Sequence, residues 1–316
     1  MNIKTIFIYR GPHLVHKTFG ESINADFVHF NPLRLPPYLV PIESFFHASR
    51  LESDVVFCED ASGLPLAYCM KKIYKKTRKI ILWGGDSLFY NLNFFKRLYI
   101  HWLLKEIDGF LAVSKYIERL AKKLLDCPIE ITYPFIDVRR YSKVSADLSS
   151  KNICFLGSFS PRKGIEILLS AFKIIREEYP ESKLYLIGKI PKSFQTENVF
   201  VTGFVSEPER YFEKCSLYVH PAIYEPFGTT VIEAMASGLI PVVSKNTGSS
   251  EFVDENLIVD CTAESIANKV LELFNKSESY LNRISRFQKR RVVKEFAKEK
   301  RVEEFKRKFY ALALKG

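Results

Sequence analysis

Two kinds of structural staple are missing from this chain. Its six cysteines, Cys58, Cys69, Cys127, Cys154, Cys215 and Cys261, form no CxxC pair and lie scattered through apolar segments. Neither a zinc site nor a disulfide framework is therefore expected. No Asp-x-Asp motif is present, which removes one common way of holding a divalent ion. No long uncharged apolar run is available to cross a bilayer. The opening MNIKTIFIYRGP passes straight into a strand pattern without the layout of a signal peptide, so a cytoplasmic protein is expected. Internal repeats and low-complexity segments are absent as well.

Acidic residues are in short supply: 36 Asp and Glu face 47 Lys and Arg, a net charge of +11. The excess is concentrated. Thirteen Lys/Arg stand against four Asp/Glu from Lys71 to Lys123, and the same numbers recur from Arg283 to Gly316. Such blocks suit an anionic lipid surface, a phosphate-bearing substrate or nucleic acid, or form a plain solvated basic surface. No helix-turn-helix, zinc-finger or RNA-recognition motif is visible, so nucleic acid is not the expected partner. With 47% hydrophobic residues the chain is not of the disordered class, and 316 residues suffice for two domains.

The most informative stretch is LYVHPAIYEPFGTTVIEAMASGLIPVVS, Leu217 to Ser244. It reads as a short apolar strand, a loop with a Pro-Phe-Gly corner, a small-residue helix opening at Thr229–Thr230, a Gly238 stop and a second buried strand. The first turn of a helix leaves backbone N–H groups unpaired at the positive end of the dipole, so Pro226–Thr230 suits a phosphate or diphosphate. Glu225 lies just before that helix and Glu233 one turn inside it, both able to face one cleft. An ionised carboxylate accepts two O–H donors at once, which fits the diol of a ribose or a hexose edge. A diphosphate between two diols describes a nucleotide sugar.

The string EPFGTTVIEAMASGLIPVV resembles the signature of the retaining glycosyltransferases of family 4, which have the GT-B fold. The resemblance runs in order from about Trp83 to Val270. It implies an α/β protein with two Rossmann-like domains facing a cleft and a last helix that crosses back to the first domain. It also implies that Glu225 meets the donor hexose, Glu233 the nucleotide ribose, and the backbone of Phe227, Gly228, Thr229 and Thr230 the donor. After the strand Ile153–Gly157, relatives carry an Arg directly after the glycine and a Lys five positions later, both on the donor diphosphate. Here Lys163 matches, Ser158 follows Gly157 in place of the Arg, and Arg162 offers a replacement charge. Glu225 and Lys163 are the catalytic candidates: the carboxylate orients the hexose and the ammonium offsets the leaving diphosphate.

The expected domains are 1–143, joined by a C-terminal helix at about 287–316, and 151–286, with the polar stretch Val144–Lys151 as linker. In the first, Gly11 follows the opening strand, and Trp83-Gly84-Gly85-Asp86 follows another. Gly11 and Asp86 are thus candidates on the acceptor side, Asp86 serving equally well as a helix cap. The segment Leu88–Lys105 is dense in aromatics beside Lys96, Arg97 and Lys105, a pattern that fits either a core helix or an interfacial membrane helix. His220 reads as a hydrogen-bonded core residue.

The activity so implied is transfer of a hexose-type sugar from a UDP- or GDP-type donor to a glycan or lipid-linked acceptor. It needs no metal and no cofactor, and allows peripheral contact with an anionic membrane at its inner face. A nucleotide-sugar-binding protein without transfer is the rival that Ser158 favours.

Overall fold

The computed structural model describes residues 3–11, 13–31, 39–84, 88–90 and 94–315, with the side chains of 94–96 left out. The chain divides into two units, Met1–Pro134 with Glu299–Gly316, and Phe135–Lys298. Each is built on a six-stranded parallel sheet with helices, that is, two Rossmann-like domains.

In the first unit the strands are β1 (Thr5–Tyr9), β2 (Asp26–His29), β3 (Val55–Cys58), β4 (Lys79–Gly84), β5 (Gly109–Ala112) and β6 (Ile129–Ile131), in the order β2-β1-β3-β4-β5-β6. Sheets of this kind are covered on both faces, so their central strands read as unbroken apolar runs; Val-Val-Phe-Cys of β3 is buried throughout. The C-terminal helix Lys298–Leu314 supplies part of the cover. Phe305 stacks on Phe19 at 4.4 Å and 5°, and Phe309 meets Phe57 edge-on at 5.5 Å. Lys79 Nζ donates to Leu312 O at 3.2 Å.

The second unit carries β7 (Ile153–Leu156), β8 (Leu184–Ile187), β9 (Val199–Gly203), β10 (Leu217–His220), β11 (Ile240–Ser244) and β12 (Ile258–Val259), in the order β12-β11-β10-β7-β8-β9. Pro241 is tolerated inside β11 because β12 pairs only with Val243 and Ser244, leaving that side of Pro241 without a ladder partner to serve. Elements outside the sequence expectations include the helices Leu14–Ser22 and Val138–Tyr141 and the short β12.

The stretch Val144–Lys151 lies within the second unit, because it contains two apolar residues: Val144 and Leu148 are buried, and Lys289 Nζ donates to Val144 O at 2.7 Å. The helix Glu278–Glu295 also belongs wholly to that unit. Its buried side, Leu281, Ser285, Gln288 and Val292, faces inward, and Ser285 Oγ donates to Gly238 O at 2.6 Å. The second basic block is consequently split, Arg283–Lys298 in one unit and 299–316 in the other.

Phe305 is fully buried and touches Phe19, Phe57 and Trp83, so truncating it tests the tie between the C-terminal helix and the first sheet. Phe305→Ala is expected to lower the stability of the first unit by about 3–5 kcal/mol in urea unfolding. A change below about 1 kcal/mol would mean that the helix is not part of that core.

Candidate functional site

From β7 the second sheet grows one way through β8 and β9, and β10, β11 and β12 lie on its other side. The loops leaving β7 and β10 therefore diverge at the carboxyl edge, the crevice where ligands bind in open α/β sheets. Glycines let the two loops meet. Pro161–Lys163 forms a 3₁₀ turn closed by Gly164 at φ 67°. A Cβ on Gly164 would lie 2.0 Å from Pro221 O, so a side chain there would push the loops apart. Arg162 O accepts Ile223 N–H at 2.8 Å across the same seam.

Gly228, at φ 86°, ends the Pro-Phe-Gly corner and caps the helix Thr229–Ala236 with no side-chain cap hydrogen bond. The corner is held from behind. Gly248 N–H donates to Glu225 O at 2.9 Å, Ser249 N–H to Phe227 O at 2.7 Å, and Glu225 N–H to Asn246 O at 3.1 Å. The Phe227 ring is buried against Phe252 and Phe296, an anchor that fixes the backbone beside it.

The seam carries a concentrated charge cluster. Glu225 is only 6% exposed. Lys163 Nζ pairs with its Oε2, Arg162 Nη1 lies 3.4 Å from Oε1, and His220 Nε2 lies 3.4 Å from Oε2. Burial opposes ionisation of Glu225, but the His220 contact and the charges of Lys163 and Arg162 outweigh it and hold the carboxyl well below the usual range. Burial pushes the His220 imidazole down, and the neighbouring cations add to that against the pull of Glu225. The His220 ring continues inward: its Nδ1 lies 3.1 Å from the Tyr218 hydroxyl, which lies 2.8 Å from Thr230 Oγ1 at the helix start. Hydrogen bonds thus link His220, beside the corner carboxylate, through Tyr218 to the helix N-terminus.

Glu233 has a separate set of partners. It is hydrogen-bonded to Tyr141, with Arg140 nearby, and Arg140 itself is bidentate to Glu209 at 2.9 and 2.7 Å. Burial pushes the Glu233 carboxyl up to about 7, assisted by the Glu209 charge and opposed by the Tyr141 bond and Arg140. The two carboxyls expected to act together are thus pushed in opposite directions, Glu225 held ionised and Glu233 raised to about 7. Ser158 is exposed, directly after Gly157, whose N–H donates to Ile187 O at 2.9 Å. His220, Tyr218 and Tyr141 were not among the expected site residues. The period of two in Leu-Tyr-Val-His, which puts Tyr218 and His220 on one face of β10, was the signal for two of them.

The first unit has its own switch point at β1, flanked by β2 and β3. Gly11 lies there in open space, since a Cβ would meet nothing within 4 Å. Beside it His16 Nδ1 pairs with Glu59 Oε1, while Arg10 N–H donates to Glu59 Oε2 at 2.8 Å. The His13 ring lies 4.6 Å and Trp83 4.5 Å from that of His16. Burial raises the Glu59 carboxyl, but the His16 bond and the Arg10 N–H more than offset it. His16 and Glu59 were also missed. Asp86 lies outside the described residues. Among the described residues no group of three or more His, Cys, Asp or Glu could hold a metal ion.

Comparison with known proteins bears on the family and the fold. Residues 140–291 match the family model described as Glycosyl transferases group 1. An uncharacterized glycosyltransferase of Bacillus subtilis is 25% identical over 248 residues, 73% of this chain and 67% of the relative. A phosphatidyl-myo-inositol mannosyltransferase of Propionibacterium freudenreichii is 36% identical over 98 residues, 30% of this chain but only 25% of its own length. Among solved structures, Anabaena HepE in complex with UDP and glucose superposes with a TM-score of 0.76 at 15% identity, covering 98% of this chain and all of that one. The likeness to HepE establishes the fold.

The raised Glu233 has a consequence for stability. The folded protein holds a proton that the unfolded chain gives up between the ordinary 4.5 and about 7, so this group's contribution to stability falls as pH rises through that window. Glu233→Gln keeps the shape without the charge. Its melting temperature relative to wild type is expected to rise between about pH 5 and about pH 8. A difference that stays constant across this range would show that Glu233 ionises as an ordinary surface carboxylate.

Proposed function

Since the chain belongs, through residues 140–291, to the glycosyl transferases group 1 family and is a glycosyltransferase, we propose that it moves a hexose from a UDP- or GDP-type sugar to a glycan or lipid-linked acceptor. Transfer proceeds with retention and without a metal ion, and the acceptor is met at the inner face of an anionic membrane. The observation that carries this reading is the cluster of Lys163, Arg162 and His220 around the buried Glu225 at the second sheet's switch point, beside a helix start without a side-chain cap.

The diphosphate takes the position in front of Gly228–Thr230, where backbone N–H groups and the helix dipole meet it. Lys163 and Arg162, held close by Glu225, turn to the leaving phosphate and stabilise the charge that develops there; Arg162 does the work that Ser158 cannot. Glu225, kept ionised, accepts hydrogen bonds from the hexose. Glu233 accepts from the ribose diol and gives up its proton as it does so. Phe227 acts through its buried ring, and the exposed Ser158 and Gly157 leave room for the phosphate.

The hydroxyl of the acceptor is received by the first unit. There Gly11 leaves space, and His16, oriented through Nδ1 by Glu59, presents Nε2 as an acceptor. The proton of the attacking hydroxyl passes to the departing phosphate oxygen as the new glycosidic bond forms and the sugar–phosphate bond breaks. The lipid-linked acceptor draws support from the name of the Propionibacterium relative.

Ser158 keeps a second reading open, a protein that binds a nucleotide sugar without transferring it. One experiment separates the two. The protein is melted with UDP-, GDP-, ADP- and dTDP-sugars, and donor hydrolysis is followed with the best of them. One nucleotide class is expected to raise the melting temperature, and Lys163→Ala to weaken binding about tenfold or more, the loss of a charge-assisted contact. Slow hydrolysis of the donor by wild type identifies a transferase; tight binding with the donor left intact identifies the binder. Failure of every nucleotide sugar to shift the melt would contradict both.

A further inference from the structure

Three helical segments of the first unit are apolar on two sides. In Val40–Ala48, Leu64–Ile73 and Phe94–Leu104 one side is core: Ala48, Leu66, Met70 and Leu103 are buried. The other side is left open. Between them runs a groove of about 520 Å³ lined by apolar and aromatic side chains, among them Ile42, Phe45, Tyr68, Ile73, Tyr99 and Trp102. Ile42 is 53% exposed and Trp102 48%, and Phe45, Ile73 and Tyr99 are exposed too. A helix apolar all round is ordinarily covered on both sides, and an exposed apolar patch of this kind marks a contact with a second apolar phase.

The charges beside the groove are mostly positive. Lys72, Lys75, Arg97 and Lys105 are exposed on or next to the segments that form it, within the block Lys71–Lys123 that holds thirteen basic residues against four acidic ones. Two acids of that block are already engaged, Asp108 by Lys71 at 2.7 Å and Glu106 by Lys72 at 2.8 Å. Glu43, on the first of the three helices, lies 3.7 Å from His47. The remaining cations and the apolar groove together present what an interfacial surface needs: aromatic rings at the depth of the headgroups, aliphatic side chains below them, and ammonium and guanidinium groups at the phosphates.

We propose that this groove is a docking surface for an anionic phospholipid bilayer, with Ile42, Phe45, Ile73, Tyr99 and Trp102 entering the interface and Lys75, Arg97 and Lys105 meeting lipid phosphates. The contact is peripheral; among the described residues no helix is long and apolar enough to cross a membrane. The proposal deepens the membrane contact included in the proposed function by naming its surface, and it is measured without donor or acceptor, so its failure would leave the sugar-transfer reading standing.

The chain carries two tryptophans, Trp83, 2% exposed in the core, and Trp102 in the groove. Emission quenching by lipid therefore reports the groove. The full chain is mixed with vesicles of phosphatidylcholine alone or of equal phosphatidylcholine and phosphatidylglycerol, with brominated acyl chains, and both quenching and sedimentation are read. Wild type is expected to sediment with the anionic vesicles and to be quenched by them, and to do neither with phosphatidylcholine alone. Trp102→Phe should still sediment without comparable quenching. Lys75→Glu with Lys105→Glu should lower the partition coefficient more than about tenfold, each cation counting for about fivefold. Phe45→Ser, checked for an unchanged melt, should lower it as well. Absence of sedimentation, sedimentation without quenching, or loss of sedimentation only in the charge variant would overturn the proposal. So would a dimer, seen by analytical ultracentrifugation, that Phe45→Ser dissociates while vesicle binding is absent.

Discussion

A carboxylate buried beside two cations is the constraint on which the second unit is organised. Glu225 sits where the chain leaves β10, Lys163 and Arg162 where it leaves β7, and the pairing draws the two loops together across the switch point. A buried charge with a partner removed costs about 3–5 kcal/mol, so each member holds the others in place. The backbone has to permit the approach. Gly164 lets one loop touch Pro221, and Gly228 turns the other into the helix without a Cβ against Glu225 and Thr247. His220, packed 3.4 Å from Glu225, and Tyr218 extend the constraint inward to Thr230, so the corner and the helix start form one body.

Within that body the two glutamates are tuned apart. Glu225 has cations and an imidazole around it and stays ionised; Glu233 has a phenol, a more distant guanidinium and a neighbouring acid, and titrates near neutrality. Carboxyls whose titration ranges are pushed apart by their surroundings are common at functional sites. In the proposed site Lys163 and Arg162 supply the positive charge for a diphosphate, partly neutralised by Glu225. In the proposed reaction the leaving phosphate competes with Glu225 for Lys163 and Arg162, so the cations can be shared without being desolvated anew.

Much of this was legible in the sequence. Parallel strands covered on both faces must be apolar throughout, which is why the run from Leu217 stood out, and the Pro-Phe-Gly corner marked the turn that Gly228 makes at φ 86°. Pairings between distant residues were not legible. His16 and Glu59 meet only because β1 and β3 are neighbours, and Tyr141 reaches Glu233 because a short helix folds back onto Thr229–Ala236. The basic tail shows the same limit. Helical period reveals that Leu281–Leu314 is amphipathic, but not that its stripe changes sheets near Phe296, a buried ring that packs on Phe227 in the second unit while Phe305 packs on Phe19 in the first.

The most direct test of the central claim is hydrogen–deuterium exchange of the full chain with and without its best nucleotide sugar. The account predicts slower exchange in residues 157–164 and 225–233, the two loops joined by Glu225 and the helix start they hold. Unchanged exchange in both segments, with the ligand bound and protection appearing elsewhere, would contradict it.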